Sequence, residues 1–271
     1  MNNITVIIPV HEYNDEIMSF LNKAIQSVVK QEKLNDPVEI IIVHPPNIEQ
    51  KIKNHPFENT LKLSFLTNIG NTDYQSQVNL AVKQITTDYF TVLEFDDEFS
   101  LTYFSIMEKY IKIYSDIDIF MSMIIEVNEK NEALKLTNES VWAQQLVGEN
   151  GELGYLNMNV INQHTDFKLS GAVIKKQSFI DIGQYKSKIK LTFMYELLLR
   201  ALNNACKIFT IPKIGYKHFA IRENSMFDLL QKNMPLDERK FWFEIAKSES
   251  HFSNDRDIDI SRLTTQTKSE E

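Results

Sequence analysis

Cysteine is almost missing from this sequence, which has a single one, Cys206, among 271 residues. One thiol excludes an intrachain disulfide, and this suits a reducing compartment. Because Cys206 lies in a run with helical spacing, we expect it to behave as a small buried hydrophobic residue.

Long apolar runs are also missing, and the first residues do not have the pattern of a signal peptide. The first residues, MNNITVIIPV, lack the basic start and the extended apolar stretch of a signal peptide. No window approaches the roughly 18 uncharged apolar residues that a membrane-spanning helix needs. We therefore expect a soluble, cytoplasmic protein.

Positive charge is the third shortage. With 29 Lys and Arg against 37 Asp and Glu, the formal net charge is −8, which argues against a nucleic-acid backbone as the main partner. Anionic phosphates can still bind where a metal ion or helix N-termini supply local positive charge. The hydrophobic content of 43% is enough for a substantial core.

Strand-like and helix-like segments alternate over the first hundred residues. The strand-like runs are rich in β-branched residues, as in strands buried on both faces, and the segments between them show the apolar spacing of helices. This order predicts an α/β fold with a mostly parallel sheet and right-handed crossovers. The predicted strands are Ile4–Val10, Val38–Val43, Leu61–Leu66 and Tyr89–Leu93, and the predicted helices are Asp15–Gln31 and Thr72–Gln84.

The second half of the chain has a less regular pattern. We expect residues 128–168, which are polar, to form an irregular excursion over the sheet edge or a partner-binding face. A last amphipathic helix, Asp237–Ser248, offers Phe241, Trp242 and Ile245 for docking. The other predicted helices are Ser100–Tyr114, Lys176–Ile182 and Leu191–Asn203, and the predicted strands are Ile117–Ile125, Gly171–Lys175, Ile208–Ile211 and Gly215–His218.

A cluster of acids ends the fourth predicted strand, in the sequence TDYFTVLEFDDEF. Glu94, Asp96, Asp97 and Glu98 repel one another unless a cation lies among them. Oxygen ligands suit a hard cation such as Mg²⁺ or Mn²⁺, and open α/β sheets bind ligands beyond the carboxyl ends of their strands. Taken alone, the cluster fits a solvated acidic turn equally well.

Five segments, in order over roughly residues 3–225, resemble the family 2 glycosyltransferases. None is specific alone, and the match depends on their order and spacing. They include an opening strand and turn, TVIIPVHEYN, and the acidic LEFDD in the place of the family's "l-D-x-D-D". The segments are Thr5–Asn14, Ala24–Gln31, Asn68–Gly70 with Gln75–Ala81, Leu93–Asp97, and Ser170–Gly183 followed by Tyr195–Arg200, Tyr216–His218 and Asn224–Ser225.

The resemblance implies a GT-A fold, which is a Rossmann-like, mostly parallel central sheet flanked by helices, here with a C-terminal helical extension. It implies metal-dependent transfer of a sugar, with inversion, from a nucleotide-diphosphate donor to a hydroxyl of a glycan, protein or other acceptor. UDP-sugars are the family's commonest donors. The implied domain limits are 1–225 for the transferase, with a nucleotide-binding half at 1–100 and an acceptor half at 101–225, 226–261 for the extension and 262–271 for a disordered tail.

The resemblance also implies a metal site and a donor site. Asp96 and Asp97 correspond to the metal and ribose ligands, and His218 to a late histidine that completes the coordination of Mn²⁺ or Mg²⁺. Glu94 replaces the family's first aspartate and either reaches the ribose or stays at the solvated rim. Asn14 can equally cap a helix. The implied donor-binding residues are Pro9, Tyr13, Asn14, His44, Asn68, Gly70, Gln75, Asn79, Glu94, Asp96 and Arg222, with Tyr13 at the nucleobase and Arg222 at the diphosphate.

Two positions depart from the family pattern. After the second strand, His44-Pro45-Pro46 stands where an aspartate usually pairs with the nucleobase, so the nucleotide preference stays open. Phe193 and Met194 stand where the family has Glu-Asp, whose aspartate is the catalytic base. The remaining acids for that role are Glu196, Asp166 and Glu152, although Glu196 also has the i,i+4 spacing of an ion pair with Arg200.

Two other functions stay open, the first because both aspartates are missing and the second because its chemistry uses a similar sheet and metal. A catalytically silent GT-A domain, acting as a nucleotide-sugar-binding or assembly module, is the alternative. A nucleotidyltransferase is a weaker third possibility, because it needs a glycine-rich basic loop after the first strand. This chain has His11–Asn14 there and only seven glycines in all.

Overall fold

A computed structural model describes residues 3–32, 37–57, 62–143, 154–220 and 233–260. The strands among these residues belong to one sheet. They are β1 (Ile4–Pro9), β2 (Glu39–His44), β3 (Lys62–Thr67), β4 (Tyr89–Val92), β5 (Glu98–Phe99), β6 (Ile119–Val127), β7 (Ala133–Thr137), β8 (Val173–Lys175) and β9 (Ile208–Phe219). Their hydrogen-bonded order is β3-β2-β1-β4-β8-β6-β9-β5, and β7 pairs with β6.

Helices cover both faces of this sheet. Asn14 caps the first helix, since its side chain accepts a hydrogen bond from the amide of Ile17, and Asp73 caps the third helix through the amide of Ser76. The helices are α1 (Asp15–Val29), α2 (Glu49–Lys53), α3 (Tyr74–Gln84), α4 (Tyr103–Ile113), α5 (Ser140–Ala143), α6 (Met158–Gln163), α7 (Lys176–Asp181), α8 (Phe193–Asn203) and α9 (Leu236–Glu249).

The first half of the sheet is parallel, as the sequence predicts. β1 lies between β2 and β4, with Ile7 opposite both Ile41 and Val92. All six residues of β1 are buried, which explains why the strand reads as a continuous apolar run rather than an alternating one. The carboxyl ends of these parallel strands therefore meet at one edge of the sheet, where a ligand site is expected.

The second half of the sheet is joined through an antiparallel strand. β8 pairs antiparallel with both β4 and β6, and β6 then pairs parallel with β9. The sequence predicts two short strands, 208–211 and 215–218, but the structure has one long strand, β9. Its register with β6 shifts between Ile211 and Ile214, across Pro212, a residue without an amide hydrogen that is tolerated in sheets at such bulges.

The prediction of an irregular segment over residues 128–168 is wrong in part. The segment contains β7, α5 and α6 among its described residues. The first four residues of β7 are exposed, so the strand has no buried face to produce an apolar pattern. Its register with β6 identifies it instead, with Leu136 opposite Ile125.

Two hydrophobic layers enclose the sheet. α1 and α4 cover one face, with Leu21 and Phe104 among their buried residues, and α3, α7 and α8 cover the other, with Val82 and Leu198. α9 docks onto α8 as the sequence predicts: Trp242 is buried, and its backbone carbonyl accepts a hydrogen bond of 2.7 Å from the hydroxyl of Thr192.

The remaining sequence predictions on the architecture have mixed outcomes. Cys206 is only half-buried and follows α8 rather than lying in it, and burial raises the pKa of its thiol to about 11. The boundary between residues 225 and 226 and the tail at 262–271 lie outside the described residues. Within the described ranges, no helix combines the length and the apolar composition needed to cross a membrane.

Candidate active site

The acidic cluster forms a tight turn after β4. The amide of Asp97 donates a hydrogen bond of 3.0 Å to the carbonyl of Glu94, which closes the turn. Along this turn Phe95 and Asp97 are buried, whereas Glu94 and Asp96 are half-exposed. The two adjacent aspartates therefore differ in environment, and Asp97 is the one that points into the protein.

Asp97 is fully buried and is held by the end of β9. One carboxylate oxygen lies 2.8 Å from Nδ1 of His218, and the other accepts a hydrogen bond of 3.0 Å from the backbone amide of Phe219. The turn that leads into β5 thus meets the end of β9, and this contact brings together the aspartate and the late histidine that the sequence predicts as metal ligands.

Glu94 completes a three-residue cluster. Its Oε1 accepts a hydrogen bond of 2.5 Å from the hydroxyl of Ser170, and its backbone amide donates one of 3.1 Å to the hydroxyl of Tyr216. Ligand atoms of Glu94, Asp97 and His218 all lie within 4.8 Å of one another. We call these three residues the acidic triad.

The triad carries an excess of negative charge. Burial and the charge of Asp97 raise the pKa of Glu94, although His218, Ser170 and Lys168 act in the opposite direction. Burial lowers the pKa of His218, but the charge of Asp97 and its hydrogen bond outweigh that effect, so the pKa of His218 is raised. The charge of Asp97 acts in both shifts, because it disfavours a second negative charge on Glu94 and favours a positive charge on His218.

The cluster of candidate metal ligands in the structure differs from the predicted set by one residue. Asp97 and His218 are brought together as predicted, but Glu94 takes the place of Asp96 in the cluster of ligand atoms. A role for Asp96 at the metal or the ribose stays a prediction. The sequence contained the signal for Glu94, since it occupies the family's first aspartate position with the charge retained.

A second charged group lies beside the triad, and Asp166 is its one member that the sequence predicts for the site. Lys168 lies 2.9 Å from the carboxylate of Glu126, and Glu126 is opposite His218 in the register of β6 and β9. Lys135 links Glu126 to Asp166 at 3.6 Å from each. Asp166, a predicted base, is therefore an exposed acid at the outer end of this charged group.

Glu196, the other predicted base, is in a different environment. It is fully buried, and its two carboxylate oxygens accept hydrogen bonds of 2.8 and 2.9 Å from Arg200. The ammonium of the buried Lys186 lies 3.3 Å away and also contacts Glu249 of α9. This geometry favours the ion pair that the i,i+4 spacing predicts, because no acceptor hydroxyl reaches a carboxylate enclosed in this way.

The residues predicted to lie near the nucleobase are held mainly by contacts within the protein. Pro9 is buried at the end of β1, and the exposed Asn14 caps α1. Tyr13 is half-buried, with the ammonium of Lys51 5.9 Å from its ring. His44 is fully buried and its Nδ1 lies 3.0 Å from the carbonyl of Pro45, so its ring presents no open face for stacking.

The predicted amides around α3 bind backbone groups. Asn68 accepts a hydrogen bond of 2.9 Å from the amide of Gly70 and shapes the loop after β3. Gln75 donates to the carbonyl of Ile189 at 2.7 Å, and Asn79 makes hydrogen bonds to both the amide and the carbonyl of Tyr185. Gln75 and Asn79 thus hold segment 185–189 against α3; donor contact by any of these residues stays a prediction. Arg222, Asn224, Ser225 and Glu152 lie outside the described residues.

Gly171 provides a test of how tightly the site is packed. Its φ is +64°, and a Cβ built there lies 2.3 Å from Cδ2 of Tyr216, whose hydroxyl accepts the amide hydrogen bond of Glu94. We expect Gly171→Ala to lower the free energy of unfolding by about 1–3 kcal/mol, as overpacking does. Gly70→Ala is the matched control, because the nearest atom to its Cβ is at 3.4 Å. Equal urea midpoints for the two variants would contradict this packing.

Comparison with known proteins gives a family match. The model of the family described as Glycosyl transferase family 2 matches residues 5–182, which is more than half of the chain. The match includes the acidic turn but ends before β9. No sequence among the curated proteins matches the chain.

Glycosyltransferases are among the solved structures of similar fold. The S. aureus TarS 1–349 structure in complex with UDP-GlcNAc is 16% identical, with a TM-score of 0.63 over 99% of this chain and 76% of that chain. The chain covers only 46% of a longer TarS structure. The mannosyltransferase PcManGT from Pyrobaculum calidifontis, in complex with GDP-Man and Mn²⁺, is 11% identical, with a TM-score of 0.55 over 82% of this chain and 58% of that one. These similarities show the GT-A fold.

Proposed function

The chain belongs to the glycosyltransferases of family 2, and from that premise we propose that it transfers a sugar from a nucleotide-diphosphate donor to an acceptor hydroxyl with the help of a divalent cation. The observation that carries the proposal is the acidic triad at the carboxyl edge of the sheet. Open α/β sheets bind their ligands at this edge.

The chemistry of the triad fits a divalent cation. Two carboxylates and one imidazole nitrogen lie within 4.8 Å of one another. Carboxylates suit Mg²⁺ and Mn²⁺, whereas imidazole favours the transition metal, so the donor set fits Mn²⁺ better. When bound, such a cation supplies stabilisation of the charge that develops on the leaving diphosphate.

The protein orients both carboxylates before a donor arrives. The amide of Phe219 and the ring of His218 fix the two oxygens of Asp97, and Ser170 fixes one oxygen of Glu94. Groups oriented in this way need little reorganisation when charge develops next to them. The strands therefore act as a rigid support for the site.

A UDP-sugar is the donor that we propose. TarS structures contain UDP and UDP-GlcNAc, and they match this fold with higher TM-scores than the GDP-Man complex. The enclosed ring of His44 is no replacement for the aspartate that usually reads the base. We therefore expect the diphosphate and the sugar to contribute most of the donor affinity.

Inversion requires a base for the acceptor hydroxyl, and Asp166 supports this role better than Glu196. Asp166 is exposed and lies two residues from Lys168 on the segment that leads to Ser170, whereas Glu196 is enclosed by cations. A positioned carboxylate of this kind contributes about 10²–10⁴-fold to the rate.

A donor-binding domain without turnover is the second candidate. The observation that favours it is the start of α8, where Phe193 and Met194 occupy the positions of the usual acids and Phe193 packs against the ring of Tyr74. This candidate keeps the acidic triad and donor binding, and it differs from the first only in the absence of a reaction.

Calorimetry and a turnover assay separate these functions. We expect UDP-GlcNAc or GDP-mannose to bind with Mn²⁺ present and to bind much more weakly in a chelator, and we expect release of the nucleoside diphosphate on prolonged incubation. Binding without any release would favour the non-catalytic domain. If neither nucleotide sugar nor free UDP binds under either condition, both functions are wrong.

A further inference from the structure

A groove of about 420 Å³ lies between α1 and the end of the sheet that is formed by β6, β9 and β5. Binding sites for small molecules have volumes of about 300–1,000 Å³, so the groove is large enough to hold one. We call it the α1–β9 groove. It is defined by Lys23 and Lys30 of α1, Leu101 after β5, Ile125 of β6, and Ile214 and Lys217 of β9.

Three apolar side chains of the groove are open to solvent. Leu101 is 54% exposed, Ile214 is 41% exposed, and Ile125 is half-buried. A single exposed apolar residue is ordinary, but several in one concave site with polar residues around them are typical of a ligand-binding groove. The groove therefore favours a ligand that brings an apolar part of its own.

The charged residues of the groove are mostly positive. Lys23, Lys30 and Lys217 line it together with one acid, Glu98. Lys217 lies 3.0 Å from the carboxylate of Glu98, whereas the exposed Lys23 and Lys30 form no ion pair with the described residues. Two lysines without a compensating acid thus lie in one groove of a chain whose formal net charge is −8. Such a local excess of positive charge attracts an anion.

The groove is separate from the acidic triad, although β9 contributes to both. Successive side chains of a strand point to opposite faces of the sheet, so Lys217 and His218 point in opposite directions. Glu98 of β5 and Ile125 of β6 are both opposite Lys217 in the register of their strands with β9. These residues therefore share the face that His218 does not, and a ligand in the groove leaves the triad free.

We propose that the α1–β9 groove binds an amphipathic small-molecule anion, which is an apolar body that carries one carboxylate or phosphate group. The apolar body packs against Leu101, Ile125 and Ile214, and the anionic group pairs with the lysines of α1. A small inorganic anion lacks the apolar contact and an uncharged apolar molecule lacks the ion pair, so neither is held as well. This site is additional to the proposed function and does not depend on it.

The test is a ligand-observed NMR titration of the full chain with octanoate and with octyl phosphate, in the absence of Mn²⁺ and nucleotide. We expect saturable binding with a dissociation constant on the order of 1 mM or below. Octan-1-ol and inorganic phosphate each carry one part of the ligand only, and we expect both to bind at least about tenfold more weakly. The stronger of the two amphipathic probes identifies the anionic group that the lysines prefer.

A charge variant with a matched control tests the lysines. The double variant Lys23→Gln, Lys30→Gln neutralises the lysines of α1, and the double variant Lys62→Gln, Lys83→Gln neutralises two exposed lysines outside the groove. We expect the first to weaken octanoate binding about two- to tenfold and the second to leave it unchanged. All four side chains are exposed, so we expect both proteins to keep the thermal midpoint of the wild type.

A second pair of variants tests the apolar contact. Leu101→Asp places a negative charge in the groove, and we expect it to weaken octanoate binding at least about tenfold. Leu236→Asp makes the same change on α9, outside the groove, at a leucine that is 65% exposed, and it should bind octanoate like the wild type.

Three results would overturn the proposal. Neither octanoate nor octyl phosphate binds saturably, octan-1-ol binds as tightly as octanoate, or Leu101→Asp binds octanoate as tightly as Leu236→Asp. The titration contains no nucleotide sugar, so its failure leaves the proposed transfer reaction untouched. Loss of nucleotide-sugar binding would likewise leave this groove as it is.

Discussion

Replacing Asp97 by asparagine is expected to reduce sugar transfer about 10³-fold or more. The change keeps the shape of the side chain and removes the buried charge of the acidic triad, whose ligand atoms lie within 4.8 Å of one another. A bound cation contributes several kcal/mol to transition-state stabilisation, and about 1.4 kcal/mol corresponds to a tenfold change in rate. Turnover of the nucleotide sugar and the affinity for Mn²⁺, measured by calorimetry, should both fall.

Two further aspartates make this experiment specific. Asp116→Asn is the inert control, because Asp116 is an exposed partner of Lys207 at the opposite end of the strands. Asp96→Asn distinguishes the ligand cluster of the structure, which contains Glu94, from the predicted metal ligands, which contain Asp96 instead. If Asp96→Asn costs more Mn²⁺ affinity than Asp97→Asn, the assignment of the cation to Glu94, Asp97 and His218 is wrong.

Replacing Glu196 by glutamine is expected to lower the free energy of unfolding by about 3–5 kcal/mol. Glu196 is the shared partner of Arg200 and Lys186, and all three side chains are buried. Removing one partner of a buried ion pair leaves a charge without compensation, and this is strongly destabilising. Urea denaturation followed by circular dichroism gives the free energy directly.

A matched variant and an activity measurement complete this test. Glu244→Gln removes the acid of an exposed i,i+3 pair with Lys247, and we expect no measurable change in stability. The specific activity of the folded fraction separates the two roles of Glu196. A stable Glu196→Gln protein that has lost activity would mean that Glu196 is the catalytic base after all.

The fold could be predicted from the sequence because its strands are buried on both faces. β1 and β2 are runs of β-branched residues, and such runs are typical of strands buried on both faces. Because these strands alternate with amphipathic helices, a parallel sheet is the simplest arrangement. The pairing of Asp97 with His218 was accessible only through the family resemblance, since 121 positions separate the two residues.

Other parts of the site depend on side-chain directions that a sequence does not contain. Whether Glu94 or Asp96 joins the triad is decided by the turn between residues 94 and 97. The amides of Gln75 and Asn79 are equally suited to a ligand and to a backbone group, and only the position of segment 185–189 shows which they bind.

The place of β9 in the sheet has a practical consequence for shortened versions of the protein. The family model ends at residue 182, yet β9 separates β6 from β5 and carries the histidine of the site. A truncation at the end of the matched span would remove β9 and leave one edge of the nine-residue strand β6 unpaired. Unpaired strand edges of this kind pair with other chains. Expression trials on that fragment should therefore yield aggregates, because the stretch that marks the family is shorter than the unit that can fold.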